Sequence, residues 1–207
     1  MIFAVLAKFD LDGQKKLEDQ IEEKVERKKE RKKVTEEMKT REKTLAALPL
    51  EITISADGAT RQATVSELQR GAKQNVIIVA GPKSACRDAL VGANLLKMDF
   101  AMSNVLVVPY ETDVDEAEAQ SRPSGGFGER PSYETQAYVA RASGDEWDDY
   151  IKAEMADAVA QNGDNVRDDG IAIVVSNDGK VVQRGVGAVP WRQMVEVSCQ
   201  FCYNLPT

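Results

Sequence analysis

Three short runs of consecutive apolar residues constrain the fold of this chain more than any other feature of its sequence. They fall at residues 75–80, 104–109 and 170–175. A strand with one face in water alternates apolar and polar residues, whereas a strand buried on both faces is apolar throughout. The runs therefore predict three strands at the centre of an α/β domain with three layers, in which helices cover both faces of the sheet.

The segments between the runs predict how these strands are connected. A helix from Ser84 to about Lys97 would join the first two strands in a parallel βαβ unit with a right-handed crossover. Residues 177–179 read Asn-Asp-Gly, a strong hairpin turn, so residues 180–185 are expected to return antiparallel. Pro190 suits the first turn of a last helix. Parallel and antiparallel pairs together make the expected sheet a mixed one.

A second hairpin is predicted ahead of the first buried run. Residues 51–55 alternate apolar and polar side chains, and the turn signal Asp57-Gly58 follows them. The return strand is expected at residues 61–65. Ser66 would then cap a short helix over residues 67–73.

Residues 111–135 are predicted to be a long loop, acidic at first and then rich in proline and glycine. Loops of this length are uncommon and are often functional. The glycines lack the Gly-Lys-Ser/Thr ending of a phosphate-binding loop. The alternatives are a plain linker and a partner contact made by Phe127. Residues 145–159, which follow, are predicted to form a helix with a broad apolar face.

Residues 10–48 are expected to form one long charged α-helix ahead of the domain, which would span residues 49–207. No glycine or proline occurs between Gly13 and Pro49, and residues 14–43 hold 12 basic and 9 acidic side chains. The apolar positions form only a thin stripe, so the helix is either a solvated spacer or a surface for a partner. The basic residues that would contact an acidic protein or anionic lipid are Arg27, Lys28, Arg31 and Lys32.

Residues 1–9 are apolar but too short to cross a bilayer, which takes about 20 residues of helix. Two interpretations stay open for them. One is a buried strand or the start of a helix, and the other is the end of a membrane span whose earlier part is missing. With the basic cluster that follows, residues 1–33 are the expected region of contact with a membrane surface.

The composition argues against several classes of activity. The chain has no histidine, which removes the commonest general base and metal ligand and the usual Ser-His and Cys-His sites. A net charge of −7 and an aromatic content of 6% do not favour nucleic-acid binding. We therefore expect no catalytic residue, no cofactor, no metal site and no nucleic-acid partner.

The order of predicted elements resembles the thioredoxin fold, most specifically in residues 170–187 and the helix after them. The redox residues of thioredoxins are not matched. Their Cys-x-x-Cys opens the helix after the first core strand, where this chain has Gly81-Pro-Lys-Ser-Ala-Cys86, with a single cysteine. Their cis-proline matches Ala172. Both departures argue against disulfide exchange.

Two hypotheses remain for the thiols. Cys86 is either a half-buried structural residue or a peroxide-sensing thiol. Cys199 and Cys202 form a Cys-x-x-Cys at the far end of the last helix, where the helix dipole disfavours a thiolate. Without histidine or further cysteines this pair cannot complete a zinc site within the chain. The low and odd number of cysteines suits a reducing compartment.

A closer resemblance lies in three stretches and one tryptophan. Val76-Ile-Ile-Val-Ala-Gly-Pro82, Asn104-Val-Leu-Val-Val-Pro-Tyr110, Arg184-Gly-Val-Gly-Ala-Val-Pro-Trp191 and Trp147 are similar to the C-terminal domain of the Low PSII Accumulation family, over residues 50–197. Members are chloroplast thylakoid proteins needed for photosystem II assembly, with membrane spans ahead of this domain. The resemblance implies a domain on the stromal side of the thylakoid membrane, with the long helix as a stalk.

Three functions stay open. The first is a non-catalytic thioredoxin-like binding or scaffold protein that helps to assemble or stabilise a thylakoid photosystem complex, with photosystem core or assembly-intermediate proteins as partners. Arg184 and Trp191 would then shape a contact surface with the loop, although Trp191 also suits packing of the last helix on the sheet. The second is a peroxiredoxin-like redox protein that uses Cys86 or the Cys199/Cys202 pair. The third is a stable accessory subunit of a photosynthetic supercomplex.

Overall fold

The computed structural model describes residues 2–54, 59–113 and 131–196, with side chains from residue 23 onward. The chain divides into two units, Met1–Arg41 and Glu42–Thr207. The first unit is made of helix, and the second holds the α/β domain. Four predictions fall outside the described residues: those on Phe127, Cys199 and Cys202 and the turn at Asp57-Gly58.

The described residues form seven helices, one 3-10 turn and seven strands. The helices are α1 (Ile2–Ala47), α2 (Val65–Ala72), α3 (Lys83–Ala93), α4 (Lys97–Met102), α5 (Glu146–Asn162), α6 (Val166–Asp169) and α7, which begins at residue 191 and is described to residue 196. A 3-10 turn, Asn94–Leu96, joins α3 to α4. The strands are β1 (Pro49–Thr53), β2 (Thr60–Thr64), β3 (Asn75–Gly81), β4 (Val105–Glu111), β5 (Ala140–Ala142), β6 (Ile171–Val175) and β7 (Val181–Val186).

A four-stranded mixed sheet forms the centre of the second unit, in the order β4-β3-β6-β7. β3 and β4 are parallel, with Asn75 opposite Val105, and α3 lies between them in the chain, as the predicted βαβ unit requires. β6 runs antiparallel to β3, and β7 runs antiparallel to β6. A βαβ unit followed by a β-hairpin and a helix is the arrangement of the thioredoxin fold. The predicted thioredoxin-like α/β domain is therefore confirmed.

The three apolar runs supply the buried strands. Every residue of β3 and β6 is buried, and β4 is buried from Val105 to Val108. Successive side chains of a strand point to opposite faces, so Ile78 belongs to one core and Ile77 to the other. One core includes Trp147 of α5, and the other includes Phe100 of α4. Helices thus cover both faces of the sheet, and the predicted three layers are present.

A second, three-stranded sheet has the order β2-β1-β5. β1 and β2 pair antiparallel, with Leu50 opposite Ala63, which confirms the predicted hairpin. β5 pairs with the other edge of β1, where Ala142 lies opposite Leu50. β5 was not predicted: it lies between the loop expected at residues 111–135 and the helix expected at residues 145–159, where no element was assigned. The Nε1 of Trp147 donates a hydrogen bond to the carbonyl of Pro49 at 2.7 Å and so ties α5 to this sheet.

The N-terminal ends of α2 and α3 differ from their predicted positions. α2 is capped by Thr64 and not by Ser66: the Thr64 hydroxyl accepts from the Glu67 N–H, and the Glu67 carboxylate accepts from the Thr64 N–H. This reciprocal pair satisfies two helix-end donors, which Ser66 cannot do from inside the first turn. α3 begins after Pro82 and not at Ser84, since proline suits the entry to a helix.

The far end of α3 and the span of α1 also differ from prediction. α3 ends at Ala93, and the 3-10 turn and α4 occupy the residues up to Met102. α1 begins at Ile2 and so includes residues 2–9, which are helical. The second unit begins at Glu42, ahead of the domain boundary expected at residue 49. Leu45 and Leu48 account for this, because both are buried in its core.

None of the helices in the described part of the chain has both the length and the apolar composition that crossing a bilayer requires.

Candidate functional site

The region that matches the thioredoxin active site is centred on Cys86, in the first turns of α3. The residue is buried, with 2% of its surface exposed. Its Sγ lies 3.3 Å from the carbonyl oxygen of Tyr110, 3.5 Å from that of Gly81 and 3.7 Å from that of Val79. The thiol therefore faces main-chain acceptors at the ends of β3 and β4, and not solvent.

This enclosure raises the pKa of the Cys86 thiol to about 12, and burial is the main cause. The negative charge of Glu111 is the next cause, and that of Asp113 acts in the same direction. Both effects disfavour a thiolate, since neither low polarity nor a nearby carboxylate stabilises negative charge on sulfur. A thiol with so high a pKa is protonated at neutral pH and is a poor nucleophile.

The backbone beneath Cys86 is tightly packed. Gly170 precedes β6 with a φ of +78°, and a Cβ placed on it would lie 2.8 Å from the carbonyl oxygen of Ala80. A Cβ on Gly81 would lie 2.8 Å from the Cα of Gly170. The residue just before the hairpin is therefore Gly170 and not Ala172, which pairs with Val79 inside β6. Every peptide bond in the described residues is trans.

A groove of about 490 Å³ opens beside this region, between the end of β4 and one face of α5. Its apolar floor includes Ile151, Met155 and Val159, which are four residues apart on α5 and so share a face. Polar groups stand at its edge: the Tyr110 hydroxyl lies 3.4 Å from the Asp148 carboxylate. A groove of this size, with an apolar floor and charged side chains of both signs around it, suits a small polar ligand or a short peptide segment.

Arg184 of β7 is held by a buried carboxylate. Its Nε donates to Glu154 Oε2 at 2.8 Å, and its Nη2 donates to Oε1 at 3.1 Å. The Glu154 side chain is only 2% exposed, against 37% for Arg184. This hydrogen-bonded pair raises the pKa of the guanidinium still further above its usual value. Arg184 thus joins α5 to β7, which differs from the contact surface expected of it.

Trp191 also lies inside the domain and presents no contact surface. It is 7% exposed, and its Nε1 donates to the Ala89 carbonyl oxygen at 3.0 Å. Its ring meets that of Phe100 edge-on, with centroids 5.4 Å apart. The structure thus supports the alternative that Trp191 packs the last helix, since Phe100 and Ala89 belong to the layer that covers the sheet.

The basic candidates of α1 are exposed on the surface of the first unit. Lys24, Lys28 and Arg31 are four and three residues apart and so share one face of the helix. Glu26 and Glu30 follow the same spacing two residues later, which places them on the opposite face.

Of the four basic candidates, Lys28 and Arg31 lie on this face, and Arg27 and Lys32 lie at its two edges. Arg27 pairs with Glu23 one turn earlier. Lys28, Arg31 and Lys32 are exposed, as a surface for an anionic partner requires. One side of this stretch thus carries Lys24, Lys28 and Arg31, whereas the other side mixes Glu26 and Glu30 with Lys33.

Sequence reasoning missed Glu154 and the groove. Glu154 lies four residues after Tyr150 and three after Ile151, on the apolar face of the predicted helix. An acidic residue in such a position needs a basic partner, and this was the available signal. The groove had no signal, because residues from β4, α5 and α6 form it together. No cluster of three or more potential metal ligands occurs among the described residues.

No protein-family model matches the chain, and no curated protein matches it. Solved structures with related folds include the mitochondrial 2-Cys peroxiredoxin of Plasmodium falciparum, at 14% identity over 77% of this chain and 94% of that one, with a TM-score of 0.48. AhpC of Mycobacterium tuberculosis is 13% identical over 75% and 92%, with a TM-score of 0.46. A thiol:disulfide interchange protein from Bacteroides sp. is 14% identical over 77% and 91%, with a TM-score of 0.40. At such identities these likenesses carry no information about activity.

Proposed function

We propose that this chain is a non-catalytic thioredoxin-like binding protein that takes part in assembling or stabilising a thylakoid photosystem complex. The observation that carries the non-catalytic part is the state of Cys86. It stands where thioredoxins begin their active-site helix, yet it is buried among three carbonyl oxygens.

The chemistry of that position supports the proposal. A redox cysteine has to reach its substrate and to ionise near neutral pH, usually with help from a cation or a helix N-terminus. Here the nearest charged groups to act on the thiol are the carboxylates of Glu111 and Asp113, and they raise its pKa. Because Cys86 is unsuited to redox chemistry, binding is the activity that we propose for this domain.

The photosystem part of the proposal rests on the resemblance to the Low PSII Accumulation family. The partners would be photosystem core or assembly-intermediate proteins, met on the stromal side of the thylakoid membrane in the chloroplast. The basic face of α1, with Lys28, Arg31 and Lys32, is the surface best suited to an acidic partner or to anionic lipid. The groove beside α5 offers a second place for a partner segment.

An affinity pull-down from detergent-solubilised thylakoids tests the proposal. The baits are the wild-type chain, the Cys86→Ser variant and a variant with Lys28→Glu and Arg31→Glu. The matched control reverses the other face of the same helix, with Glu26→Lys and Glu30→Lys. We expect the wild type, the cysteine variant and the control to recover photosystem subunits. The variant of the basic face should recover several-fold less.

Other outcomes would point elsewhere. Recovery in stoichiometric amounts from mature complexes would favour a stable accessory subunit over a transient assembly factor. Recovery of no photosystem protein would remove that part of the proposal. Peroxide or disulfide turnover that is lost in Cys86→Ser would contradict the non-catalytic part and favour a peroxiredoxin-like enzyme.

A further inference from the structure

An apolar stripe runs along the outer side of α3 and α4. It consists of Val91, Leu95, Met98 and Met102, whose exposed fractions are 51%, 86%, 68% and 76%. Residues 83–102 form α3, the 3-10 turn and α4 in succession, and the backbone departs from helical geometry at Leu96, where φ is −113° and ψ is 19°. Because the inner side of this segment is the one packed on the sheet, the stripe is the side that faces away from the core.

The area of this stripe is large for a surface without a partner. From the exposed fractions, the four residues present roughly 500 Å² to solvent, near the upper end of the largest patches on monomeric proteins. Two such stripes packed together would bury about 1,000 Å², the lower limit for a specific protein–protein contact. The area therefore suits a second stripe of the same size.

The spacing of the stripe identifies that second stripe. Its residues are separated by four, three and four positions, and all four are exposed although they belong to α3, the 3-10 turn and α4 in turn. This spacing is the same in both directions. Two antiparallel copies would therefore place Val91 opposite Met102, and Leu95 opposite Met98, twice over. Such self-complementarity is what a contact about a two-fold axis requires.

The charges beside the stripe allow the same arrangement. Arg87 and Asp88 stand at its start, and the Arg87 Nη2 lies 3.3 Å from the Asp88 carboxylate. Lys97 and Asp99 stand near its middle. With Lys83, residues 83–102 hold three positive and two negative side chains, so the region is close to neutral although the whole chain is acidic. Two copies can therefore meet here without the repulsion that their overall charges would cause elsewhere.

We propose that the stripe formed by Val91, Leu95, Met98 and Met102 is a self-association surface, on which two copies of the chain pack antiparallel about a two-fold axis. The inference stands apart from the proposed function, since it uses none of the residues of α1, the groove or the Cys86 region. A contact of this size would be weak, and the chain would exchange between one copy and two as its concentration changes.

Sedimentation equilibrium of the full chain tests this proposal between roughly 1 and 200 µM, where a contact of this size is expected to dissociate. The wild-type average mass should rise from 22.7 kDa toward twice that value. Leu95→Glu and Met98→Glu should each raise the dissociation constant about tenfold or more, because each places a charge against apolar side chains. Ile54→Glu is the matched control, since Ile54 is 60% exposed outside the stripe.

A cross-link gives a second readout that does not depend on affinity. With the native cysteines replaced by serine, an equimolar mixture of a Leu95→Cys chain and a Met98→Cys chain should form a covalent dimer on oxidation, and Ile54→Cys should not. A wild type that stays monomeric throughout would overturn the proposal and leave the stripe to a different protein. So would a dimer that persists unchanged in Leu95→Glu and Met98→Glu while circular dichroism shows both variants folded.

Discussion

The pair between Glu154 and Arg184 predicts a strong coupling between two residues that are 30 positions apart. Replacing Arg184 with Met keeps most of its volume but leaves the Glu154 carboxylate buried without its cation. Breaking a buried pair in this way costs about 3–5 kcal/mol. Because the Arg184 side chain is 37% exposed, water can replace part of what is lost, and we expect a cost near the lower limit, about 3 kcal/mol.

The reverse substitution and the double variant complete the cycle. Glu154→Leu leaves a cation that water can partly reach, so the expected cost is about 1 kcal/mol. The double variant buries no charge at all, and replacing a whole ion pair by apolar residues is often close to neutral. The sum of the two single costs should therefore exceed the cost of the double variant by about 2 kcal/mol or more.

Urea unfolding at pH 7, followed by tryptophan fluorescence, measures these free energies. Trp147 and Trp191 are both buried and lie on opposite faces of the sheet, so the signal reports on both cores. For a protein of this length, 3 kcal/mol corresponds to a decrease in Tm of about 6–12 °C. Additive costs, within about 0.5 kcal/mol, would refute the argument that the pair is a buried unit.

Four further predictions concern three single residues. Cys86, followed in a chain with Cys199→Ser and Cys202→Ser, should resist iodoacetamide at pH 8 until the protein is unfolded by urea, and rapid labelling of the folded chain would contradict its enclosure. The pKa of the Cys86 thiol is raised to about 12 in the folded state. The contribution of the neutral thiol to stability should therefore be complete below pH 9 and should be lost as the pH rises toward 12. Cys86→Ala should reveal this by a weaker alkaline decrease in Tm. Partial burial opposes ionisation of Asp178, but hydrogen bonds from Lys180 and Ser176 lower its pKa overall. Asp178→Asn should therefore lower the free energy of unfolding by about 0.5–1 kcal/mol at pH 7, after allowance for the exposure of the side chain. The substitution should cost nothing once acid has protonated the carboxyl in both the folded and the unfolded state. Trp191→Ala should cost about 3–5 kcal/mol in urea unfolding, and a loss below 1 kcal/mol would contradict the packing described for the last helix.

The central strands could be predicted because strands that are buried on both faces consist of consecutive apolar residues. β3 and β6 contain no charged residue, so no half-exposed arrangement suits them. The β6–β7 hairpin was equally accessible, since Gly179 has a φ of +83° at the turn that Asn177-Asp-Gly179 predicts. Each of these signals lies within a short stretch of sequence, and the structure confirms the strand or turn that each one predicts.

The features that were missed depend on partners distant in the chain. β5 is three residues long, and it is a strand only because β1 lies beside it. The cap of α2 is an intermediate case, since the pattern Thr64-x-x-Glu67 was present but Ser66 competed with it. Arg184 was assigned to a contact surface on the family resemblance, whereas the residue that holds it, Glu154, belongs to another layer of the domain.

The enclosure of Cys86 has a consequence for how this protein could change over evolutionary time or in the laboratory. The three groups nearest its sulfur are main-chain carbonyls, and the strand ends that carry them are pressed together where Gly81 meets Gly170. If side chains shielded the thiol from solvent, one substitution to a smaller residue could expose it. Because main-chain atoms shield the thiol here, it becomes exposed only if the path of the backbone itself changes. Random point mutagenesis around Cys86 should therefore yield unstable variants long before it yields a reactive thiol, whereas insertions or deletions between β3 and α3 are the changes that could expose it.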